Sequence, residues 1–478
     1  VRNSAMWTAE KLIALADSKP RALVPIVLEQ QSQIEALHAR LALNSQNSSQ
    51  PPSSDGFKKP APKSLRKKSA RKSGGQPGHP GHTLVQVKNP DRVVIHPLEK
   101  CPCGCGRSLR RQPVLRYENR QVFDSPPQRL EVTEHRAEIK RCPVSGQEVC
   151  AAFPANVSAP AQYGSRFKAW LVYCRVQQLL PLDRISQMAN DLFGHPVSAA
   201  TVQAALDATN KNLVPFGDEV KRQLICAEIA HADETGLRVM KSSHWLHVVS
   251  TRYLTWYGVH AKRGREAIDA FGLLISFKGR LIHDCLSSYF KLNCAHGLCN
   301  PHLLRELVFI HEQFHQTWAK SLHDLLLAMH DFVEDRKKID SDCSSKELAS
   351  WRKRYDTMVA LGYVANPYTP SLPKERRRGR PKKSKALNLL DRLKLHAKSV
   401  LAFLYDFRVP FSNNQGEQDL RMMKVQQKIS GAFRTLEGAQ TFARIRAYLS
   451  TVRKNKRDVF QEIVNAFIGQ PFMPSVAS

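Results

Sequence analysis

The sequence lacks any run of about 18 apolar residues, the length that a membrane-spanning helix needs, and this excludes a transmembrane span. It opens without a basic segment followed by an apolar stretch, which argues against a secretory signal. Acidic residues are scarce, because 42 Asp and Glu stand against 72 Lys and Arg, a formal net charge of +30 over 478 residues. Such a charge repels itself until a polyanion neutralises it, so nucleic acid or an anionic membrane surface is the expected partner.

Cysteine occurs in an odd number, 11, and five of the thiols fall between Cys101 and Cys150. In a basic chain without a signal, this clustering favours reduced thiols around a metal over a disulfide framework. The segments YENRQVF and QRLEVTEHRAEIKRC between the two Cys groups alternate in polarity like hairpin strands, so residues 89–155 are predicted to form a zinc-ribbon-like module. Ser145 stands where a further thiol is expected, so unliganded cysteines in a small domain are the alternative. The zinc candidates are Cys101, Cys103, Cys105, Cys142 and Cys150, with His135 as a possible substitute.

The first 88 residues are predicted to contain a helix and a basic linker. Seven residues recur at spacings of about four and three, as in the seam of a coiled coil. They are Leu23, Val27, Gln30, Ile34, Leu37, Leu41 and Asn44. We interpret residues 1–44 as a coiled-coil helix that promotes self-association, and an amphipathic helix packed on its own protein is the alternative. Residues 45–88 are rich in Ser, Pro, Gly, Lys and Arg, which predicts a disordered tether that binds phosphates through counterion release.

Residues 156–222 have the periodicity of helices. Gly194 and Pro196 separate two helical segments, and Ser198 suits the N-cap of the second. A helix, a short turn and a capped helix fit a helix-turn-helix DNA reader, although two packed helices without a DNA role fit nearly as well.

From Cys226 onward the period changes to two residues. AEIAHADETGLRV, HWLHVVST and YLTWYGVH are predicted as three strands, GREAIDAFGLL as a helix and RLIHDCL as a fourth strand. This order opens a ribonuclease-H-like sheet, so the expected fold is multidomain α+β. Residues 223–460 are assigned to this domain with a helical insertion at about 299–400, and residues 461–478 to a C-terminal tail.

Three acids are candidates for metal-dependent chemistry. Asp233 and Asp284 each end a predicted strand, so neighbouring strands would bring them to one sheet edge, and Glu417 follows the insertion. Converging carboxylates favour Mg²⁺ or Mn²⁺, and two such ions about 3.5–4 Å apart stabilise the attacking and leaving oxygens of a phosphoryl transfer. The alternatives are an ordinary turn role for Asp233, a competing ligand in Glu234, and a capping box between Asn414 and Glu417.

Two basic segments are candidate DNA contacts. One face of the helix that follows Glu417 carries cations at spacings of four, three and four, and these could hold DNA phosphates. They are Arg421, Lys424 and Lys428. The segment RRRGRPKK looks like an AT-hook for a narrow A·T minor groove, and a plain basic loop is the equal alternative. Its central residues are Arg378, Gly379 and Arg380.

The chain resembles the transposases of the insertion sequence 66 family over nearly its whole length. NSSQPPSSDG and GGQPGHPGHT resemble the family's linker, CPCGCGRSL its zinc knuckle, LPLDRI its helical segment, HADET its first catalytic strand and CNPHLLREL its Cys-x-x-His helix. VPFSNNQGEQDLRMMKVQQKISGAFRT resembles the third catalytic block and is highly specific. The resemblance implies a DDE active site with Asp233, Asp284 and Glu417 as the catalytic acids. The chain departs from many relatives at Cys285 and Leu286, where they have Gly and Tyr, and in the incomplete second zinc knuckle.

The resemblance implies a transposase that cleaves DNA at the ends of its own insertion sequence and joins the 3′-hydroxyls to target DNA. The three acids would bind Mg²⁺ or Mn²⁺, and the clustered cysteines would bind Zn²⁺. Cys299 and His302 would orient a helix behind the active site, and zinc binding by this pair is the lesser alternative. The expected partners are terminal-repeat DNA, target DNA and further copies of the chain, in the bacterial cytoplasm at the nucleoid and not at a membrane. A nuclease that cuts without joining and a non-enzymatic zinc DNA-binding regulator remain the other functions.

Overall fold

The computed structural model describes residues 9–44, 47–48, 84–339, 343–367 and 383–475. None of the helices within these ranges is both long enough and apolar enough to cross a membrane.

The chain divides into two compact units. The larger comprises the described parts of Val1–Pro62, His135–Asp191 and His195–Ser478. The smaller comprises the described part of Lys63–Glu134 together with Leu192–Gly194.

The described residues contain seven strands and seventeen α-helices. The strands are β1 (Ile139–Arg141), β2 (Glu148–Cys150), β3 (Ile229–Val239), β4 (Ser242–Ser250), β5 (Thr255–His260), β6 (Arg280–His283) and β7 (Ala295–Leu298). The helices before the insertion are α1 (Ala9–Ser18), α2 (Leu23–Leu41), α3 (Ser165–Val172), α4 (Leu182–Phe193), α5 (Ala199–Asn212), α6 (Val214–Ile225), α7 (Arg265–Phe271) and α8 (Leu273–Ser276). The remaining helices are α9 (Asn300–Phe314), α10 (Thr317–Lys338), α11 (Ser345–Ala365), α12 (Lys385–Leu395), α13 (Ala397–Val400), α14 (Ala402–Tyr405), α15 (Asn414–Ser430), α16 (Leu436–Lys454) and α17 (Val459–Phe467).

A mixed five-stranded sheet lies in the larger unit, with the strand order β5-β4-β3-β6-β7. Strands β3, β4 and β5 form an antiparallel meander, whereas β6 runs parallel to β3 and β7 parallel to β6. The predicted meander, helix and fourth strand are therefore present in the predicted order. Strand β7 was not predicted, because its four residues AHGL are too few to show a period of two and include a glycine.

The helical insertion shares a hydrophobic core with the sheet. Helices α9 to α14 contribute most of this core, and Ile282 and Leu298 of the two parallel strands β6 and β7 are buried in the same cluster. The insertion is thus packed against the half of the sheet that contains the parallel strands β6 and β7. In the antiparallel half, α16 packs against β5, and α15 packs against β3 and β4.

Helix α2 contributes one buried residue to the insertion core, Ala39, which is 6% exposed. The predicted coiled-coil seam faces elsewhere, because Val27, Ile34 and Leu37 are all more than half exposed. Helix α2 thus packs in part on its own protein, as the alternative interpretation expected, but the described residues leave the seam uncovered. Self-association through it stays a prediction.

The helices at residues 165–225 form a layer with the C-terminal helices. Ser198 caps α5 as predicted, and its Oγ accepts a hydrogen bond from the Thr201 N–H at 3.1 Å. Helix α5 packs against α3, α16 and α17. The segment assigned to a tail contains most of α17, whose Ile463 and Ala466 are fully buried, so it belongs to this layer.

The predicted zinc-ribbon strands differ from those observed. Residues 117–123 form no strand, and the only hairpin in the 84–155 segment pairs β1 with β2, bringing Ile139 opposite Cys150. The alternating polarity of residues 117–123 therefore did not indicate a strand. Within residues 84–134, which are all described, no hydrophobic side chain is buried, so apolar burial cannot hold this part together.

Candidate functional site

Two carboxylates meet where the parallel part of the sheet ends. Asp233 lies within β3, and Asp284 directly follows β6. Asp233, Asp284 and Glu234 each bring a carboxylate oxygen within 4.8 Å of the others. The prediction that Asp233 ends its strand is wrong, because pairing with β4 carries β3 on to Val239 after its parallel partner β6 has stopped.

The electrostatics of this pair are unfavourable without a cation. Burial, together with the neighbouring carboxylates of Glu234 and Asp284, raises the pKa of Asp233 to about 8. The Oδ1 atom of Asp284 is buried and has no hydrogen-bond partner among the described residues. A buried carboxylate oxygen without a donor is costly unless something cationic or protonated reaches it. The two aspartates therefore fit a hard divalent cation, which binds through oxygen.

Glu234 is already satisfied by protein groups. Arg263 donates to its Oε1 from Nε at 2.9 Å and from Nη2 at 2.7 Å, and the Tyr289 hydroxyl donates to Oε2 at 2.7 Å. Burial and Asp284 raise the pKa of Glu234, while Tyr289 and Arg263 oppose the rise. These contacts favour a structural role for Glu234 over its alternative as a competing metal ligand.

Asn413 fixes the start of helix α15 against β3. It is 1% exposed, its Nδ2 donates to the Ala232 carbonyl at 2.9 Å, and its Oδ1 accepts from His231 Nδ1 at 2.9 Å. Gly416 permits the close approach, because a Cβ at that position would lie 3.3 Å from the Cβ of Asp233. The SNNQG segment therefore docks the helix that carries Glu417 beside the two aspartates.

Glu417 lies near the aspartates but contacts a different pair of residues. Its Oε1 is 3.9 Å from the Cys299 Sγ and 3.9 Å from the His302 Nδ1, and its side chain is 41% exposed. It does not join the cluster of Asp233 and Asp284, although its charge contributes to the raised pKa of Asp233. The capping-box alternative is wrong, because Asn413 is the N-cap and no side chain caps this helix.

The basic face predicted on this helix is present. Helix α15 runs from Asn414 to Ser430, and its three candidate cations are exposed along it. They are Arg421, Lys424 and Lys428. The AT-hook-like residues lie outside the described residues. They are Arg378, Gly379 and Arg380.

The cysteine candidates fall into separate groups. Cys101, Cys103 and Cys105 bring their sulfurs within 4.8 Å of one another, and the first two are 2.9 Å apart. In the larger unit, Cys142 directly follows β1, and the Ser145 N–H lies 3.5 Å from its sulfur. Cys150 pairs with Ile139, about 10 Å along the hairpin from Cys142 at 3.3 Å per residue, so these two are poorly placed for one ion.

Several residues of this site escaped sequence reasoning. Arg263 and Tyr289 reach Glu234 from a loop and a short helical turn, and no spacing links them to it. Asn413 was missed because a buried asparagine cannot be distinguished from an exposed one by its neighbours in the sequence. The Asn pair directly before a predicted helix was the one available signal.

Comparison with known proteins identifies the chain. Residues 160–441, more than half of it, match the family described as Transposase IS66 family. The protein is thus a transposase by class, a DNA-processing and DNA-binding protein. Within that class the chain belongs to the IS66 family, as the sequence resemblance predicted. Residues 5–85 match a second family, described as a family of unknown function, DUF6444. No curated protein matches the chain.

Proposed function

We propose that this transposase cleaves DNA at the ends of its own insertion sequence and joins the freed 3′-hydroxyls to target DNA, with Asp233, Asp284 and Glu417 as the catalytic acids. The observation that carries the proposal is the closeness of the Asp233 and Asp284 carboxylates on neighbouring strands, with the buried Asp284 Oδ1 lacking any partner among the described residues. Two buried carboxylates so close together destabilise the fold through mutual repulsion, and a divalent cation would relieve both.

The strand order supports a ribonuclease-H-like catalytic domain. Three antiparallel strands, then two strands added in parallel on the far side of the first, are the arrangement expected for that fold. Asp233 lies on the first strand of the series and Asp284 at the end of the fourth. Glu417 comes from a helix packed on the first strand, after the insertion.

Each acid has a distinct role in the proposal. Asp233 and Asp284 would hold Mg²⁺ or Mn²⁺, and Glu417 would complete the set after turning away from Cys299 and His302. Bound divalent ions would supply charge stabilisation for the attacking and leaving oxygens of an in-line phosphoryl displacement. The protein contributes positioning, because α15 is fixed to β3 by Asn413 and keeps Glu417 at a set distance from the aspartates.

Further parts of the chain serve DNA binding and assembly in this proposal. Three exposed cations follow Glu417 along α15 and would hold phosphates near the acids: Arg421, Lys424 and Lys428. Residues 378–380 would add a minor-groove contact, and helices α4 and α5 a DNA-reading surface. The three clustered thiols of Cys101–Cys105 would bind Zn²⁺, and the exposed seam of α2 would pair two copies of the chain.

The test is an assay on DNA that carries the element's end, incubated with a target duplex and the full-length protein. The proposal expects cleavage that requires Mg²⁺ or Mn²⁺, followed by covalently joined products. Cleavage without joining would instead favour a nuclease. DNA binding with no cleavage under any divalent cation would favour the zinc DNA-binding regulator.

A further inference from the structure

Cys299, His302 and Glu417 form a second cluster of potential ligands, separate from the two aspartates. One atom from each, a sulfur, an imidazole nitrogen and a carboxylate oxygen, lies within 4.8 Å of the other two. Cys299 caps the start of α9, and His302 follows it by three residues on the first turn. Glu417 reaches the pair from α15, so three ligands from two helices converge on one point.

The geometry is close to that of a zinc site. Zinc with sulfur, nitrogen and oxygen ligands in a tetrahedral arrangement holds those atoms about 3.5 Å apart. The two distances from Glu417 Oε1, to Cys299 Sγ and to His302 Nδ1, are both 3.9 Å. Small rotations of the side chains would therefore close the three atoms around an ion.

The surroundings of the ligands support metal binding. His302 Nδ1 is buried and has no hydrogen-bond partner among the described residues, so it can coordinate an ion. Cys299 is 1% exposed, and its sulfur accepts the Asn413 backbone N–H at 3.3 Å, a contact that stabilises a thiolate. This N–H belongs to Asn413, the N-cap residue of α15, so the Cys299 sulfur and the helix that carries Glu417 are already fixed to each other.

The chemistry of the three ligands distinguishes this cluster from the aspartates. Thiolate and imidazole select Zn²⁺ over Mg²⁺, which prefers oxygen alone. Zn²⁺ displaces the proton of a thiol when it binds, which Mg²⁺ does not do. The described residues offer three protein ligands here, and Glu417 is partly exposed, so the fourth position is open to water. Such a site exchanges its ion more readily than a closed structural one.

We propose that Cys299, His302 and Glu417 form a Zn²⁺ site that inhibits the transposase by holding Glu417 away from Asp233 and Asp284. The inhibition rests on the proposed function, whereas the site itself does not. One carboxylate would serve two ion sites of different chemistry. Bound Zn²⁺ would thus keep Glu417 from joining Asp233 and Asp284 without itself binding to the two aspartates.

The binding experiment uses Co²⁺ as a spectroscopic substitute for Zn²⁺ on the full-length protein, with a phosphine reductant because thiol reductants bind zinc. Cys299→Ser and His302→Gln should each lose about one equivalent of bound Co²⁺, and Cys299→Ser should also lose part of the thiolate-to-cobalt absorption. Cys294→Ser, a partly buried thiol in the same unit, is the matched control and should bind as the unaltered protein does. Equal Co²⁺ stoichiometry in all four proteins would overturn the site.

The inhibition experiment titrates Zn²⁺ into Mg²⁺-supported cleavage. The Zn²⁺ concentration for half-inhibition should rise by roughly tenfold or more in Cys299→Ser and stay unchanged in Cys294→Ser. Equal inhibition of both variants, or stimulation by Zn²⁺, would overturn the inhibitory role. If the unaltered protein cleaves no DNA with Mg²⁺, the proposed function fails instead, and the Co²⁺ measurement alone decides the site.

Discussion

Asp233 on β3 and Asp284, the residue directly after β6, lie opposite each other where two neighbouring parallel strands separate. The register of β3 and β6 pairs Ile229 with Arg280 and His231 with Ile282, and extending it by two residues sets Asp233 opposite Asp284. Side chains at equivalent positions of parallel strands point to the same face, about 4.8 Å apart. The meeting of the two carboxylates therefore follows from the register of β3 and β6.

The first prediction is that each of the three acids is needed for cleavage and joining but not for DNA binding. Asp233→Asn, Asp284→Asn and Glu417→Gln should reduce both reactions to background, because each removes a ligand charge from the cation site. Gel-shift binding to element-end DNA should persist in all three. Glu266→Gln, an exposed acid of α7, is the control and should retain activity. Activity that survives in one of the three variants would remove that residue from the site.

The second prediction concerns the pH dependence of stability without metal. Asp233 has an ordinary pKa of 3.8 and a pKa of about 8 in the folded protein, so the folded state binds this proton more tightly than the unfolded state does. Its contribution to the free energy of unfolding is complete below about pH 4 and is lost as the pH rises through about 8. Denaturant melts in a chelator should show this decline, and Asp233→Asn should reduce it.

Saturating Mg²⁺ should reduce the same decline, because it binds the ionised carboxylates of the folded state. The control Asp207→Asn, an exposed residue of α5, should leave the slope as it is. Parallel pH profiles for Asp233→Asn and the unaltered protein would contradict the assignment of this slope to Asp233.

The third prediction is that Asp419, two residues after Glu417, supports the fold. Its Oδ2 lies 2.8 Å from Lys454 Nζ, and the two side chains are only 8% and 13% exposed. Asp419→Asn leaves a buried ammonium without its counter-charge, which should cost roughly 3 kcal/mol of unfolding free energy. Thermal and urea melts would measure the loss. Glu437→Gln on α16, an exposed acid, should cost under about 1 kcal/mol, and an equal loss in both variants would refute the role of the ion pair.

The sequence was most informative where a period or a chain order determines the structure. Alternation of polarity located β3, β4 and β5, and the order of elements predicted that Asp233 and Asp284 would meet. Sequence patterns did not predict the contacts between residues of distant segments. The bond from Arg263 to Glu234 joins segments 29 residues apart, and no local pattern encodes it.

Two errors have the same physical origin. Asp233 was placed at the end of its strand, although the predicted segment AEIAHADETGLRV runs on to Val239. The pairing with β4 that places Asp233 inside the strand depends on the partner and not on the residues around Asp233. The strands between the cysteine groups were predicted from alternating polarity, but residues 117–123 have no hydrophobic core to bury one face against. Alternation specifies a strand only where a second layer covers its apolar side.

The fourth prediction is that the clustered thiols of Cys101–Cys105 in the smaller unit bind about one Zn²⁺. Replacing Cys101, Cys103 and Cys105 together by Ser should lower the zinc content of the full-length protein by about one equivalent. Because residues 84–134 bury no hydrophobic side chain, the metal should also protect them, and chelation should expose them to proteolysis. Cys226→Ser, an exposed thiol in the larger unit, is the control. Unchanged zinc content in the triple variant would refute the site.

The fifth prediction is that the basic face of α15 binds DNA phosphates beside the acids. Lys424→Ala with Lys428→Ala removes two exposed cations that follow Glu417 along one helix face. Each lost phosphate contact lowers the slope of log affinity against log salt by about 0.9, so the slope should fall by about two. The double variant Lys346→Ala with Lys353→Ala removes the same charge from exposed positions on α11 and should change the slope much less. Fluorescence anisotropy at several salt concentrations measures both slopes. Equal slopes for the two double variants would mean that net charge, and not the face of α15, governs DNA binding.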